Sequence, residues 1–78
     1  MKIYNVLIND RQCDPIVHNF RWRIAAYDFA RQNAREFCNF PEDLKEIHYN
    51  PKYNNGWIML IETSCEGDYV RISEGELK

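Results

Sequence analysis

The sequence contains few cysteines, glycines and prolines and has no long apolar run. Each of these three residue types occurs three times among the 78 residues. The cysteines are odd in number and none forms a Cys-x-x-Cys pair, which is typical of a reducing compartment rather than a disulfide scaffold or a zinc finger. No apolar stretch approaches the roughly 18 residues of a membrane span or forms a secretory signal. We therefore expect a cytoplasmic protein with no membrane contact.

The length of the chain limits it to one small core. A chain this short buries only about 60% of the surface that it exposes when unfolded, which excludes a deep cleft between domains. Hydrophobic residues make up 45% and charged residues 28% of the sequence, as in ordinary globular proteins. The sequence contains no repeat and no linker, so we predict a single α+β domain over residues 1–78.

Hydrophobic residues recur along the chain with two different periods, one typical of strands and one typical of a helix. A period of two predicts strands over 2–9, 16–20, 46–49, 57–63 and 69–73, and a helical period predicts a helix over 21–38. Asn19 is the expected helix cap, Asn55-Gly56 a tight turn, and residues 74–78 a frayed end. The order is β-β-α-β-β-β, which predicts one helix packed on a four- to five-stranded antiparallel sheet. The predicted core face of the helix consists of Ala26, Phe29, Ala30, Asn33, Ala34 and Phe37.

The run Trp57-Ile58-Met59-Leu60-Ile61 carries apolar side chains on both faces of its predicted strand. Strict alternation places Trp57, Met59 and Ile61 on one face and the other two residues on the opposite face. A single helix covers only one face of a sheet. The uncovered face therefore predicts a homodimer or a complex with a larger protein.

Charge is distributed unevenly. Residues 1–40 contain six basic and four acidic groups, whereas residues 41–78 contain four basic and eight acidic groups. An acidic surface is able to replace nucleic acid in a basic groove, and tyrosine and tryptophan are enriched in binding hot spots. The predicted partner-contact residues are Glu62, Glu66, Asp68, Tyr69, Glu74, Tyr49 and Tyr53.

One alternative function is an oligomeric sponge that sequesters a nucleotide signal. Its arginines would hold phosphate while Tyr27 stacks on a base. Arg31 and Arg35 lie close to Asp28 and Glu36 along the helix, however, so ion pairs within the helix are the simpler interpretation. Direct binding of nucleic acid is not favoured. The arginines concerned are Arg21, Arg23, Arg31 and Arg35.

Another alternative is a small metal- or thiol-dependent enzyme. If the two acidic loops converged, their carboxylates would suit a hard cation. The thiols and a histidine would suit zinc or a Cys/His pair, but their spacing shows no such pattern. Solvated turns and packed thiols are simpler, so we predict no catalytic residue, no metal and no cofactor. The residues concerned are Asp10, Asp14, Glu66, Asp68, Cys13, Cys38, Cys65, His18 and His48.

Several short segments together resemble a family of small uncharacterised proteins from bacteriophages and bacterial mobile elements. The segments are Asp10-Arg11-Gln12-Cys13-Asp14, Glu36-Phe37-Cys38, Pro41-Glu42-Asp43-Leu44, Gly56-Trp57 and Ser64-Cys65-Glu66-Gly67-Asp68. The resemblance implies an anti-defence context, like that of small anti-CRISPR proteins, and assigns no role to any residue. We therefore expect a non-enzymatic inhibitor that contacts a larger host protein or protein–nucleic acid complex in the bacterial cell.

Overall fold

The computed structural model describes residues 1–9, 14–37, 41–63 and 68–76. These residues form one α-helix on a five-stranded antiparallel sheet with strand order β2-β1-β5-β4-β3. The predicted α+β class and the order β-β-α-β-β-β are therefore confirmed. The elements are β1 (Lys2–Asn9), β2 (Ile16–Phe20), α1 (Arg23–Phe37), a 3₁₀ turn (Pro41–Asp43), β3 (Lys45–His48), β4 (Trp57–Glu62) and β5 (Tyr69–Glu76).

The core lies between α1 and one face of the sheet. Ala26, Ala30 and Ala34 are spaced one turn apart and are fully buried. Because alanine projects only a methyl group, the helix lies close to the strands beneath it. Larger side chains pack at its flank, where the rings of Phe29 and Phe20 lie 5.0 Å apart. The sheet contributes Val6, Ile58, Met59, Ile61, Val70 and Ile72 to this core.

The helix begins later than the sequence predicts, and Asn19 is not its cap. Asn19 lies within β2, where it pairs with Asn5 of β1. The first helical hydrogen bond is donated by the Ala26 N–H to the Trp22 carbonyl, at 3.1 Å. The prediction was wrong because strand pairing keeps residue 19 extended. The side chain of Phe37, also predicted to face the core, lies outside the described part of the structure.

The last strand is longer than predicted. Residues 74–76, expected to fray, belong to β5 and pair with Lys2–Tyr4 of β1. β1 starts at Lys2 and supplies backbone partners up to Glu76. Residues 77 and 78 lie outside the described ranges.

A β-bulge at the start of β4 changes which face Trp57 occupies. Trp57 lies opposite Ser73, but Met59 lies opposite Ile72, so one extra residue is inserted between them. A bulge of this kind interrupts strict alternation. Trp57 therefore does not share a face with Met59 and Ile61, as the sequence analysis expected. Ile58, the extra residue, is buried in the core cluster.

The turn before this bulge is fixed against β5. Asn55 and Gly56 have φ angles of 56° and 86°, which confirms the predicted turn. The Glu74 N–H donates a hydrogen bond of 2.7 Å to the Gly56 carbonyl. A Cβ on Gly56 would lie 2.8 Å from the Glu74 carbonyl oxygen, which is closer than real contacts allow. Glycine therefore lets the turn sit flush on β5 and sets the position of Trp57.

We expect Gly56→Ala to destabilise the fold by about 1 to 3 kcal/mol, because the alanine meets both an unfavourable φ and a backbone atom. Urea unfolding followed by circular dichroism measures this change. Gly75→Ala is the matched control, since the nearest atom to its Cβ is Asn5 Nδ2 at 3.5 Å, an ordinary contact. The control should change stability by less than about 1 kcal/mol. Equal stability of the two variants would contradict this description of the turn.

Candidate protein-binding face

The side of the sheet that faces away from α1 is here called the open face. Because Val6, Met59, Ile61, Val70 and Ile72 face the helix, their neighbours along each strand point the other way. Within the described residues, α1 is the only α-helix, and no open-face side chain joins the buried core cluster. The open face consists of Ile3, Asn5, Leu7 and Asn9 (β1), Val17 and Asn19 (β2), Tyr69, Arg71 and Ser73 (β5), Trp57, Leu60 and Glu62 (β4), Lys45 and Ile47 (β3), and Tyr49.

Arg71 lies at the centre of the open face. It belongs to β5, the middle strand of the sheet, and is flanked by Leu7 on β1 and Leu60 on β4. Its guanidinium carbon lies 4.5 Å from the centre of the Trp57 ring. This distance is within the range of a cation–π interaction. A cation is thus held between two leucines and an indole.

Tyr49 completes this arrangement from the other side of the indole. Its ring meets Trp57 edge-on, with the ring centres 5.9 Å apart and the planes at 81°. The Tyr49 N–H donates a 2.8 Å hydrogen bond to the Ile58 carbonyl and so ties Tyr49 to the bulge. We call Tyr49, Trp57 and Arg71 the aromatic–arginine cluster. Its placement depends on the bulge, because an unbroken strand would turn Trp57 toward the helix.

The hydrogen-bonding capacity of Arg71 is not used within the described structure. Its Nε is buried and has no hydrogen-bond partner, and none of the ion pairs among the described residues includes Arg71. A guanidinium has five N–H donors, and a buried donor without a partner costs about 1 to 3 kcal/mol. Among the described residues, the arginine at the centre of this face therefore has no ion-pair partner.

The structure separates the predicted contact residues instead of forming one acidic surface. Tyr69 and Glu62 are paired neighbours on the open face. Tyr49 lies on the same face beside Trp57. The register partner of Trp57 is Ser73, which lies four residues beyond Tyr69 along β5. That separation is roughly 13 Å at the usual rise of a strand. Three of the seven predicted residues therefore share the open face.

The other predicted contact residues lie elsewhere. The Glu74 carboxylate points to the helix side and lies 3.7 Å from Lys2 Nζ. Tyr53 lies in the turn and is 75% exposed, with Lys52 Nζ 5.6 Å from its ring centre. Asp68 precedes β5, and its carbonyl accepts a hydrogen bond from the Thr63 hydroxyl at 3.1 Å. Glu66 lies outside the described residues.

The part of the open face that the structure describes is not acidic. Its charged side chains among the described residues are Arg71, Lys45 and Glu62, which give a net charge of +1. The sequence analysis did not identify Arg71. One signal was present: Arg71 is a charged residue between Val70 and Ile72, so it points to the face of the predicted strand opposite to theirs. The face that Trp57 occupies was not predictable from the sequence, because bulges have no reliable sequence signature.

One helix arginine of the nucleotide-sponge alternative, Arg31, already has a carboxylate partner. Arg31 Nε and Nη2 donate to the two carboxylate oxygens of Glu46 on β3, at 2.5 and 3.4 Å. The direct ion pair of Arg31 is therefore with Glu46 on β3, which lies beside this face of α1, and Asp28 on the helix adds an electrostatic attraction. The guanidinium carbon of Arg31 also lies 5.4 Å from the centre of the Tyr27 ring. A phosphate at this position would meet the negative charge of Glu46.

Most residues of the predicted metal and thiol alternatives lie outside the part of the chain that the structure describes. The three cysteines, Asp10 and Glu66 lie outside the described ranges, and no group of three potential metal ligands occurs within those ranges. His18 packs against Phe29, with ring centres 4.7 Å apart, and His48 Nε2 lies 3.6 Å from Glu46. In the described part of the chain, no helix has both the length and the apolar character needed to cross a bilayer.

Comparisons of the chain with protein-family models, curated proteins and solved structures find no match.

The ion pair of Arg31 predicts a measurable pKa change. The hydrogen bond from Arg31 holds the pKa of Glu46 below its ordinary value. A lowered carboxyl pKa contributes stability above the ordinary carboxyl range, and that stability is lost as pH falls through the folded-state pKa. Arg31→Gln should raise the pKa of Glu46, measured by carbon NMR of its carboxyl group. Arg35→Gln is the control and should leave it unchanged; an unaltered Glu46 pKa in Arg31→Gln would disprove the assignment.

Proposed function

We propose that this chain is a non-enzymatic binding protein that attaches the open face of its sheet to a larger protein. The observation that carries the proposal is a group of apolar and aromatic side chains around a central arginine that has no ion pair within the described residues. Large exposed apolar patches with aromatic and arginine residues are typical of interaction sites. In this proposal the bound protein is a component of a host defence system, which the chain inhibits by occupying its surface. The resemblance to phage proteins supports that part of the proposal.

The size of the face suits such a complex. Five strands about 4.8 Å apart, with central strands of eight residues, give a face of roughly 20 by 25 Å. A standard interface buries about 800 Å² of accessible surface on each partner. The open face and its rim are able to supply an area of that order.

A second copy of this chain suits the face less well than a different protein does. A two-fold symmetric dimer brings identical patches together around its axis. Arg71 lies on the middle strand near the centre of the face, so a face-to-face dimer would place two unpaired guanidinium groups close together. Like charges in a desolvated contact are unfavourable. The open face therefore favours a partner of different sequence.

Nucleic acid also suits the face less well than protein. Nucleic-acid affinity comes largely from several lysine or arginine contacts to phosphates. The described part of the open face has two basic groups, Arg71 and Lys45, offset by Glu62. Leu7 and Leu60 beside the arginine favour an apolar protein surface instead.

Site-specific photocrosslinking in bacterial cells that produce the chain tests this proposal. A benzophenone amino acid replaces Val17 or Ile47, at opposite edges of the open face, and Gln32 on the exposed side of α1 serves as the matched control. We expect the same host protein to be crosslinked from both open-face positions and not from Gln32. Mass spectrometry identifies it.

Two results would refute the proposal. One is the absence of any host protein crosslinked from Val17 or Ile47. The other is equal crosslinking from Gln32, which would show that the open face has no special role.

A further inference from the structure

We infer that Arg71 is the receptor for a carboxylate group of the bound protein, supplied by an aspartate or glutamate side chain that enters the centre of the open face. This inference rests on the proposed function and names the chemistry by which the partner is recognised. On the described part of the open face, no carboxylate neutralises the positive charge of Arg71. Glu62 lies beside Tyr69, and its register partner on β3 is Lys45.

The environment of Arg71 strengthens its interaction with an anion. Leu7 and Leu60 flank it on the neighbouring strands, and Trp57 lies over its guanidinium carbon at 4.5 Å. A partner that covers these apolar groups excludes water from the site, and electrostatic attraction is stronger in such a medium than in water. The planar fork of an arginine matches a carboxylate through paired N–H donors. The Trp57 ring covers part of the guanidinium, so the partner's carboxylate approaches from the side that the ring leaves open.

A carboxylate fits this site better than a phosphate does. Phosphate sites in proteins usually combine several cationic groups or a series of backbone N–H groups. Here one arginine stands among apolar side chains, and Lys45 lies at the edge strand β3. One positive charge is balanced by the single negative charge of a carboxylate, whereas a phosphate would leave negative charge unpaired against leucine.

The first arm of the test uses acetate as the probe, with the complete chain in solution. Nitrogen–proton NMR follows the Arg71 Nε–H and the Trp57 indole N–H during titration with sodium acetate, sodium phosphate and sodium chloride at equal ionic strength. We expect a saturable shift of both signals with acetate and only a weak linear drift with chloride. In Arg71→Met the acetate shift of the Trp57 signal should disappear. Equal responses to acetate and chloride, or a saturable response to phosphate alone, would overturn the inference.

The second arm separates this inference from the proposed function. Crosslinking from Val17 is repeated in Arg71→Met and Arg71→Lys. We expect at least a tenfold loss of the crosslinked protein in Arg71→Met and an intermediate loss in Arg71→Lys, which retains the charge but not the planar fork. Undiminished crosslinking in Arg71→Met would overturn the carboxylate site and leave binding by the open face intact. Absence of crosslinking from Val17 in the chain that retains Arg71 would refute the proposed function itself.

Folding of the variants is checked by thermal unfolding. Because the buried Nε of Arg71 has no hydrogen-bond partner among the described residues, Arg71→Met should unfold at a temperature no lower than that of the original protein. Lys52→Met, in the exposed turn, is the control and should leave both the acetate shift and the crosslinking unchanged. Loss of crosslinking in Lys52→Met as well would show that the effect is not specific to Arg71 and would overturn the inference.

Discussion

The structure depends on one packing constraint: a single helix shields only one face of a five-stranded sheet. Three fully buried alanines of α1, Ala26, Ala30 and Ala34, lie against one side of the strands. Within the described residues, no second α-helix lies over the apolar residues on the other side. The proposed binding role follows from this imbalance between apolar area and cover.

The functional part of the face depends on an irregularity of the backbone. The glycine turn at Gly56 holds the start of β4 against β5, and the bulge after it directs Trp57 to the open face, where it meets Arg71. Bulges commonly redirect a side chain next to a functional site. Within the described residues, the Nε of Arg71 is buried without a hydrogen-bond partner. An arginine placed in this way in the middle of a sheet fits a binding role better than a structural one.

The sequence predicted the element order, the antiparallel sheet and the turn at Asn55-Gly56, because these depend on local periodicity and backbone preference. It did not predict what depends on pairing between distant strands. The extension of β5 to Glu76 requires β1, and the strand position of Asn19 requires the same neighbour. For the candidate site, the uncovered face was predictable from Leu60, but the aromatic–arginine cluster was not. The emphasis on acidic residues followed net charge, which does not show how charges are distributed over faces.

The central claim is that the open face of the free chain is exposed to solvent and available to a partner. Paramagnetic relaxation by a soluble gadolinium complex measures this directly on methyl groups at micromolar protein concentration. The account predicts strong relaxation of the Leu7 and Leu60 methyls and weak relaxation of the Val70 and Ile72 methyls, which lie under α1. Equal protection of both pairs would show that the open face is already covered and would contradict the account.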